Sequence, residues 1–294
     1  MSTPLSELGE NAVLKRLLCC LPDNGSLIVG PGDDCAVVAR NDEWDTLLKT
    51  DVVVESVHFT PDTAPELIGR KALARALSDI AAMGGIPEHA LITLLIHPSR
   101  PVELLERIYG GISRLASACG VSVAGGETSS LPYDGLVINV ALTGRVERGK
   151  AVLRSGARAG DILCVSGRLG GSFPSARHLT FEPALKLARF LLENNLAPTA
   201  MMDLSDGLAT DLPRLAEASG CGYQLTPASI PCHPGCSVQQ ALTDGEDYEL
   251  LMTFAPETAQ RLSLIDLPSP ITPIGKIVPR KRDILGNGWQ HFSA

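Results

Sequence analysis

No apolar run in the chain approaches the ~18–20 residues that cross a bilayer, so the sequence offers no transmembrane helix. A basic leader followed by a hydrophobic stretch is also missing. Acid stands at Glu7 and Glu10 instead, no secretory signal is expected, and the cytoplasm is the expected compartment. Positive charge is scarce: 25 Lys and Arg face 33 Asp and Glu, for a net charge of −8. Such a protein gains nothing overall from counterion release on DNA or RNA, which disfavours nucleic-acid binding as its main role. If it handles a polyphosphate, a cation must stand between the two, either local Lys and Arg or a divalent metal. The familiar phosphate and metal signatures are absent. There is no glycine-rich loop ending in Gly-Lys-Ser/Thr, no His-Arg-Asp or Asp-Phe-Gly kinase set and no His-Glu-x-x-His zinc motif. Asp203–Gly207 lacks calcium-loop spacing, because the twelfth position from Asp203 is Arg214 rather than Glu. The eight cysteines are scattered, with Cys119 and Cys164 inside apolar runs, and they read as reduced, mostly buried thiols. Cys232 and Cys236 have no second cysteine pair at ligand spacing, so they read as incidental loop thiols rather than a zinc site.

What is present suits a globular protein of one or two domains: 294 residues, 45% of them hydrophobic. Leu47–Val54 reads as a strand entering a buried site. Thr63-Ala64-Pro65-Glu66 has the pattern of a capping box opening a helix, with Leu73, Leu77 and Ile80 on one stripe and a stop at Gly84-Gly85. Leu105, Ile108, Ile112 and Leu115 mark a second amphipathic helix closed by Gly120. Strands are expected at Val121–Ala124 and Leu136–Val146. The chain turns polar and glycine-rich between 147 and 160, which sets the expected boundary between an N-terminal domain at 1–147 and a C-terminal domain at 148–294. The second half reads as a strand at Asp161–Ser166, a helix near Pro183–Glu193 and a strand at Ala200–Leu204. A helix then follows Gly207, which Pro213 either kinks or begins, and strands are expected at Asp247–Phe254 and Thr272–Val278. The class is α/β or α+β with mixed sheets.

The acidic residues are grouped. Gly32-Asp33-Asp34, Thr50-Asp51, Ser78-Asp79, Gly125-Gly126-Glu127, Asp203-Leu204-Ser205-Asp206-Gly207 and Gly245-Glu246-Asp247 each sit at glycine or at the end of an apolar segment. Most lack a Lys or Arg nearby in sequence. Any one group alone reads as a turn or a helix cap. Six together read as one cleft. Two carboxylates ~4 Å apart repel by about 4 kcal/mol at an effective dielectric of 20, so such a cleft calls for a multivalent cation, and hard oxygen ligands select Mg²⁺, Mn²⁺ or Ca²⁺. Mg²⁺ bound by carboxylates and by substrate phosphates is the usual arrangement for phosphoryl transfer, and Asp51→Asn or Asp79→Asn is then expected to abolish such transfer with little loss of stability. Gly167-Arg168-Leu169-Gly170-Gly171-Ser172 after a strand is a weak candidate for a phosphate cradle.

These motifs, in this order, resemble the thiamine-monophosphate kinase family. The likeness runs through Gly32-Asp33-Asp34, Thr50-Asp51 to Val57-His58-Phe59, Lys71-Ala72-Leu73 to Leu77-Ser78-Asp79-Ile80-Ala81-Ala82-Met83-Gly84 and Gly125-Gly126-Glu127-Thr128. It continues in Arg154-Ser155-Gly156-Ala157, Gly160-Asp161, Asp203-Leu204-Ser205-Asp206-Gly207-Leu208, Gly245-Glu246-Asp247-Tyr248-Glu249-Leu250 and Gly288-Trp289-Gln290-His291-Phe292. The resemblance implies the two-domain aminoimidazole-ribonucleotide-synthetase-like fold and transfer of the ATP γ-phosphoryl group to thiamine monophosphate. The transfer would be direct and in-line, with no covalent enzyme intermediate, because the acceptor phosphate is already an anion and positioning carries the catalysis. Asp33, Thr50, Asp51, Asp79, Glu127, Asp203 and Asp206 would hold several Mg²⁺ ions. Gly126, Glu127, Arg154 and Ser205, with Tyr109, would contact ATP. His58, Glu246 and Trp289 would hold the thiamine end, where a cationic ring suits an aromatic face and a carboxylate. A homodimer is implied as well, with the edge and apolar face of Leu136–Ala141 as the surface in need of cover.

The chain departs from the family pattern in places. Glu127 stands where Asp is usual, Ser130 where Arg is usual, and Ser56 where Gly is usual; Thr180 and Ala184 occupy positions that carry arginines. Fewer arginines weaken anion binding. They leave open a paralogous ATP-dependent kinase or ligase acting on a different phosphorylated or carboxylated small molecule.

Overall fold

The protein is seen as a computed structural model that describes residues 4–8, 10–18, 20–279, 283 and 285, without the side chains of residues 6, 10 and 11. Short helices α1 (Leu5–Leu8) and α2 (Glu10–Leu18) lead into β1 (Leu27–Val29), β2 (Ala36–Ala39) and β3 (Trp44–Val54). Helix α3 (Pro65–Ala82) connects β3 to β4 (Ile86–Ile96), and α4 (Val102–Cys119) connects β4 to β5 (Ser122–Ser130), before β6 (Leu136–Glu147). These six strands form one mixed sheet in the order β1-β2-β3-β6-β4-β5, in which only β4 and β5 run parallel. The parallel pair follows from its connection, since a crossover helix returns the chain to the same end of the sheet.

The second sheet is antiparallel throughout. Its strands are β7 (Ile162–Ser166), β8 (Ala200–Asp203), β9 (Gly222–Leu225), β10 (Leu250–Phe254) and β11 (Ile271–Val278), in the order β8-β10-β7-β11-β9. Between them lie α5 (Leu185–Glu193), α6 (Leu208–Ala218), α7 (Val238–Thr243) and α8 (Pro256–Leu262). Both faces of this sheet are covered. Leu163, Val165 and Met202 pack with Leu208, Leu212 and Leu215 of α6, while the alternate residues Cys164, Met201 and Met252 pack with Leu187 and Leu191 of α5 and with Ala81 and Ala82 of α3. Helix α3 therefore serves both sheets. Its Leu73, Leu77 and Ile80 face Leu47, Ile92 and Val140 of the first sheet, and its C-terminal turn closes on the second.

The capping box is not formed. Ala64, not Thr63, precedes the first helical residue, and no side chain caps α3. Pro65 sits in the first turn and forces the residue before it into an extended conformation, φ −55° and ψ 128° at Ala64. The Thr63 hydroxyl instead accepts from the Thr60 amide at 3.1 Å, and Glu66 accepts from Arg107 of α4 at 2.8 and 3.0 Å. Helix α4 does end at Gly120, which takes the left-handed conformation at φ 70°. Pro213 lies inside α6, not at its start.

Strand β6 is not an edge. It pairs with β3 from Val54↔Val137 to Trp44↔Glu147 and with β4 from Ile86↔Arg145 to Ile96↔Leu136, so the exposed edges of the first sheet are β1 and β5. On the face away from α3, Leu48, Val52 and Leu91 are exposed. No helix among the described residues is long and apolar enough to cross a membrane.

Candidate active site

The ends of β3, α3 and β8 and the turn after β1 bring the acids together. Asp34, Asp79 and Asp203 are buried, and each offers an oxygen within 4.8 Å of the others'. None is left without a donor. Lys49 Nζ donates to Asp79 Oδ1 at 2.7 Å, Arg154 Nη2 to Asp34 Oδ1 at 2.6 Å, and the Ser78 hydroxyl to Asp203 Oδ2 at 2.6 Å. Asp33 accepts the Arg154 backbone amide on both oxygens, at 3.2 and 3.1 Å. Burial, reinforced by the neighbouring charge of Asp34, pushes both Asp33 and Asp203 up to about 6. Burial also holds Asp79 well above the usual carboxylate range, against the pull of Lys49. Asp34 Oδ2 is buried with no hydrogen-bond partner among the described residues. An orphaned carboxylate oxygen inside a triad of hard ligands fits a divalent cation such as Mg²⁺.

The acids are thus less isolated than their sequence neighbours suggest. Arg75 pairs with Asp51 at 3.2 Å, and Arg214 pairs with Asp206 and, at 2.9 Å, with Asp211. These cations arrive from other elements, so the expectation that most acidic groups lack Lys or Arg is corrected in space. So is the expectation that Asp51 and Asp79 stand in pure repulsion. Asp211, buried in α6, accepts the amides of Ser205 at 3.1 Å and Asp206 at 3.0 Å and so shapes the loop that carries both. Neither Ser205 nor Asp206 caps α6; Gly207 precedes it at φ 93°. In the glycine-rich turn at 167–172, the Gly170 amide donates to Asp247 at 2.9 Å and the Gly171 amide to Asp244 at 2.8 Å. That turn cradles the protein's own carboxylates instead of a phosphate.

A cavity of about 310 Å³ opens beside these acids. Its walls include His58, Arg75, Phe173, Ser205, Asp206 and Glu246. Behind it lies a buried network. Lys71, fully enclosed, donates to both Glu246 oxygens at 2.8 Å and to the His58 carbonyl at 2.5 Å, and its Nζ lies 2.7 Å from His178 Nδ1. Burial alone would raise Glu246, but the bonds from His178 and Lys71 hold it at about 2. Burial brings Lys71 down to about 8 despite Glu246. Burial, with the charge of Arg75, lowers His58 to about 4, so its ring is neutral at pH 7. His58 Nδ1 accepts the Val54 amide at 3.0 Å, which puts the ring proton on Nε2. Two separate segments at the cavity are conformationally strained: before β10, Glu246 and Tyr248 take left-handed φ of 63° and 54°, and after β3, Ser56 takes 66° in the position where a glycine is usual.

The residues expected from sequence are therefore placed as follows. Asp79 and Asp203 form the buried triad with Asp34, Arg154 reaches it through Asp34, half-buried Asp33 stands beside it on the Arg154 backbone amide, and Asp51 reaches toward the cavity through Arg75. His58, Ser205, Asp206 and Glu246 line the cavity. Thr50 points the other way along β3 and donates to Asn139 at 2.9 Å on the open sheet face. Gly126 and Glu127 lie on the exposed edge strand β5, where Glu127 accepts the Thr128 amide at 3.1 Å. Tyr109 is exposed on α4. None of these four is among the residues lining the cavity. Trp289 lies outside the described residues. Sequence reasoning counted Asp34 in the acidic groups without naming it a ligand, and assigned no site role to Lys49, Lys71, Arg75 or Phe173. A usable signal existed for two of them: Lys71, Arg75 and Asp79 recur at four-residue spacing and share one face of α3 with Ser78. The thiols of Cys232 and Cys236 are each spent on a backbone carbonyl, of Ile230 at 3.5 Å and Gly170 at 3.4 Å.

Two joined sheets with buried carboxylates at their junction define a class. Residues 32–146 match the family described as AIR synthase related protein, N-terminal domain, and residues 158–286 match its C-terminal domain. Among curated relatives, a thiamine-monophosphate kinase of Rhodopirellula baltica is 36% identical over 271 residues, covering 86% of this chain and 84% of that one. One of Bacillus subtilis is 34% identical over 285 residues, covering 86% of each. The solved structure of AaThiL complexed with AMPPCP and TMP superposes with a TM-score of 0.87 at 31% identity, over 99% of each chain. The chain belongs to the thiamine-monophosphate kinase family.

Proposed function

We propose that the protein transfers the γ-phosphoryl group of ATP to the phosphate of thiamine monophosphate, giving thiamine diphosphate and ADP. The observation that carries this reading is the cavity in which His58, Glu246 and Arg75 converge next to the buried carboxylates. The relatives' names and the nucleotide analogue and TMP bound to AaThiL support it. Glu246 is held ionised and offers negative charge to a thiazolium, while Phe173 presents an aromatic face to the same space. His58 donates from Nε2 as a neutral hydrogen-bonding group. Arg75, anchored by Asp51 at 3.2 Å and by the Val52 carbonyl at 2.9 Å, supplies a fixed cation for the acceptor phosphate. It answers the arginines missing at 130 and 180. The acceptor oxygen attacks the γ-phosphorus in line and ADP leaves, with no protein nucleophile and no strong base required.

Mg²⁺ would be held by Asp33, Asp34, Asp79 and Asp203, with Asp51 and Asp206 facing the phosphates. Held by those residues, the ion would neutralise charge on the polyphosphate and the charge that develops in transfer. The N-terminal part, 1–147, would bring most of the carboxylates and a dimer surface, and 148–294 would complete the nucleotide and substrate site. Two copies would pair over the open face that carries Leu48, Val52 and Leu91, and the enzyme would work in the cytoplasm. Light scattering should give twice the 31.1 kDa chain mass at micromolar concentration; a single-chain mass refutes the dimer.

The test of the assignment is calorimetric titration of thiamine monophosphate into the wild type and Arg75→Met, with Mg²⁺ and a non-hydrolysable ATP analogue. Binding to the wild type should weaken about tenfold or more in the variant, for loss of one charge-assisted contact of about 1.5–3 kcal/mol. No binding to the wild type at millimolar ligand would overturn the thiamine assignment and leave the carboxylate site standing.

A further inference from the structure

The carboxylate cluster carries its own counter-charge. When ionised, Asp34, Asp79 and Asp203 hold three negative charges, and half-buried Asp33, next to Asp34, brings a fourth. Arg154, bonded to Asp34 at 2.6 Å, and Lys49, bonded to Asp79 at 2.7 Å, return two. What remains is the charge of one divalent ion. Lys49 is not a surface residue that happens to reach an acid. It sits on β3 facing the helices, as Leu47 and Val53 do, with its side chain only 22% exposed and the Asp79 side chain 8% exposed. Thr50, its neighbour, points to the opposite face. Strand geometry therefore commits the ammonium to the cluster.

An ammonium is a compact point charge, and its hydrogen bond to a carboxylate oxygen occupies the lone-pair direction that a metal ion would use. A cation placed a few ångströms from the same oxygen would repel it. We propose that Lys49 is a resident cation of the carboxylate cluster, taking the place of a further divalent ion, so that the nucleotide-free protein binds a single divalent ion among Asp33, Asp34, Asp79 and Asp203. The orphaned oxygen of Asp34, which takes no hydrogen bond among the described residues while Lys49 bonds Asp79, is where that ion is held. The inference rests on the magnesium reading of the cluster and narrows it.

Mn²⁺ titration followed by electron paramagnetic resonance counts the ions directly, without nucleotide or turnover. The wild type should take up about one tight equivalent. Lys49→Met should gain a second equivalent or bind the first about tenfold more tightly or better, since a like charge has been removed at short range. Lys49→Arg should match the wild type. Lys49→Gln, which keeps a hydrogen bond and drops only the charge, should behave as Lys49→Met does. Two or more tight equivalents in the wild type, or unchanged number and affinity in both neutral variants, overturn the proposal. If the neutral variants fold only when Mn²⁺ is supplied, the proposal is supported, because the ion then substitutes for the ammonium. If they fail to fold even with millimolar Mn²⁺, it is overturned. Absence of any Mn²⁺ binding to the wild type is a separate result: it removes the metal reading itself, and this inference with it.

Discussion

Replacing Glu246 by Gln isolates the buried network behind the cavity. Lys71 is fully enclosed, and both Glu246 oxygens lie 2.8 Å from its Nζ. The amide keeps one acceptor but loses the charge and turns its own donors toward Lys71 or His178, which lies 3.2 Å from Glu246 Oε2. Leaving a buried cation unpaired destabilises by about 3–5 kcal/mol. Lys71 limits the loss by shedding its proton: burial already brings it down to about 8, and without Glu246 it falls further. We therefore expect Glu246→Gln to lose about 3 kcal/mol at pH 7. The pH dependence has a definite sign. A base whose pKa is lowered on folding penalises the fold while charged, and stability returns as pH rises through the window from about 8 to the ordinary lysine value. At pH 9 Lys71 is mostly neutral in the wild type as well, so the penalty of the substitution should shrink by half or more. Urea unfolding of wild type, Glu246→Gln, Lys71→Met and the double variant, at both pH values, measures this. The double variant should recover most of the loss. A loss below about 0.5 kcal/mol at pH 7, or an equal loss at both pH values, would refute the account of the network.

Three further outcomes follow from the same geometry. Asp79→Asn strips Lys49 of its partner, so it should lose about 2 kcal/mol in denaturant unfolding, restored in Lys49→Met/Asp79→Asn, whereas repulsion alone predicts no loss. Asp33 and Asp203, raised to about 6 by burial, hold protons in the fold that the unfolded chain releases near the ordinary value; their contribution is present below that value and lost as pH rises through about 6. The melting temperature in EDTA should accordingly fall between pH 5 and 7 relative to that in Mg²⁺, and parallel curves would contradict it. Gly126→Ala would place a Cβ 1.8 Å from the Ile92 carbonyl oxygen, and a loss of about 2–3 kcal/mol is expected; an unchanged melting temperature would show that β5 does not hold against β4 as described.

Local patterns were legible where one element decided them. The helical stripe of Leu73, Leu77 and Ile80, the Gly120 stop and the strand expected at Leu136–Val146 all appear where local pattern put them. Strand β5 runs on to Ser130, well past the apolar Val121–Ala124, because parallel pairing with β4 and a bare glycine at 126 carry residues of little strand preference. Strand β4, broken in sequence by Pro87 and His89, gave no clean alternation. The capping pattern at 63–66 was real as spelling, but Pro65 overrode it. At the site, the acids could be read and their partners could not. Lys49 meets Asp79 across 30 residues, Arg154 meets Asp34 across 120, and Ser78 meets Asp203 across 125. No local signal spans such separations. The same limit explains why β6 read as an edge when it lies at the centre of its sheet.

The most direct measurement is product formation. The protein is incubated with ATP, Mg²⁺ and thiamine monophosphate, and the thiamine species are separated by chromatography while ³¹P resonances are followed. The account predicts thiamine diphosphate and ADP appearing in equal amounts, with none formed in EDTA. ATP turnover without thiamine diphosphate, or no turnover with Mg²⁺ present, would contradict it.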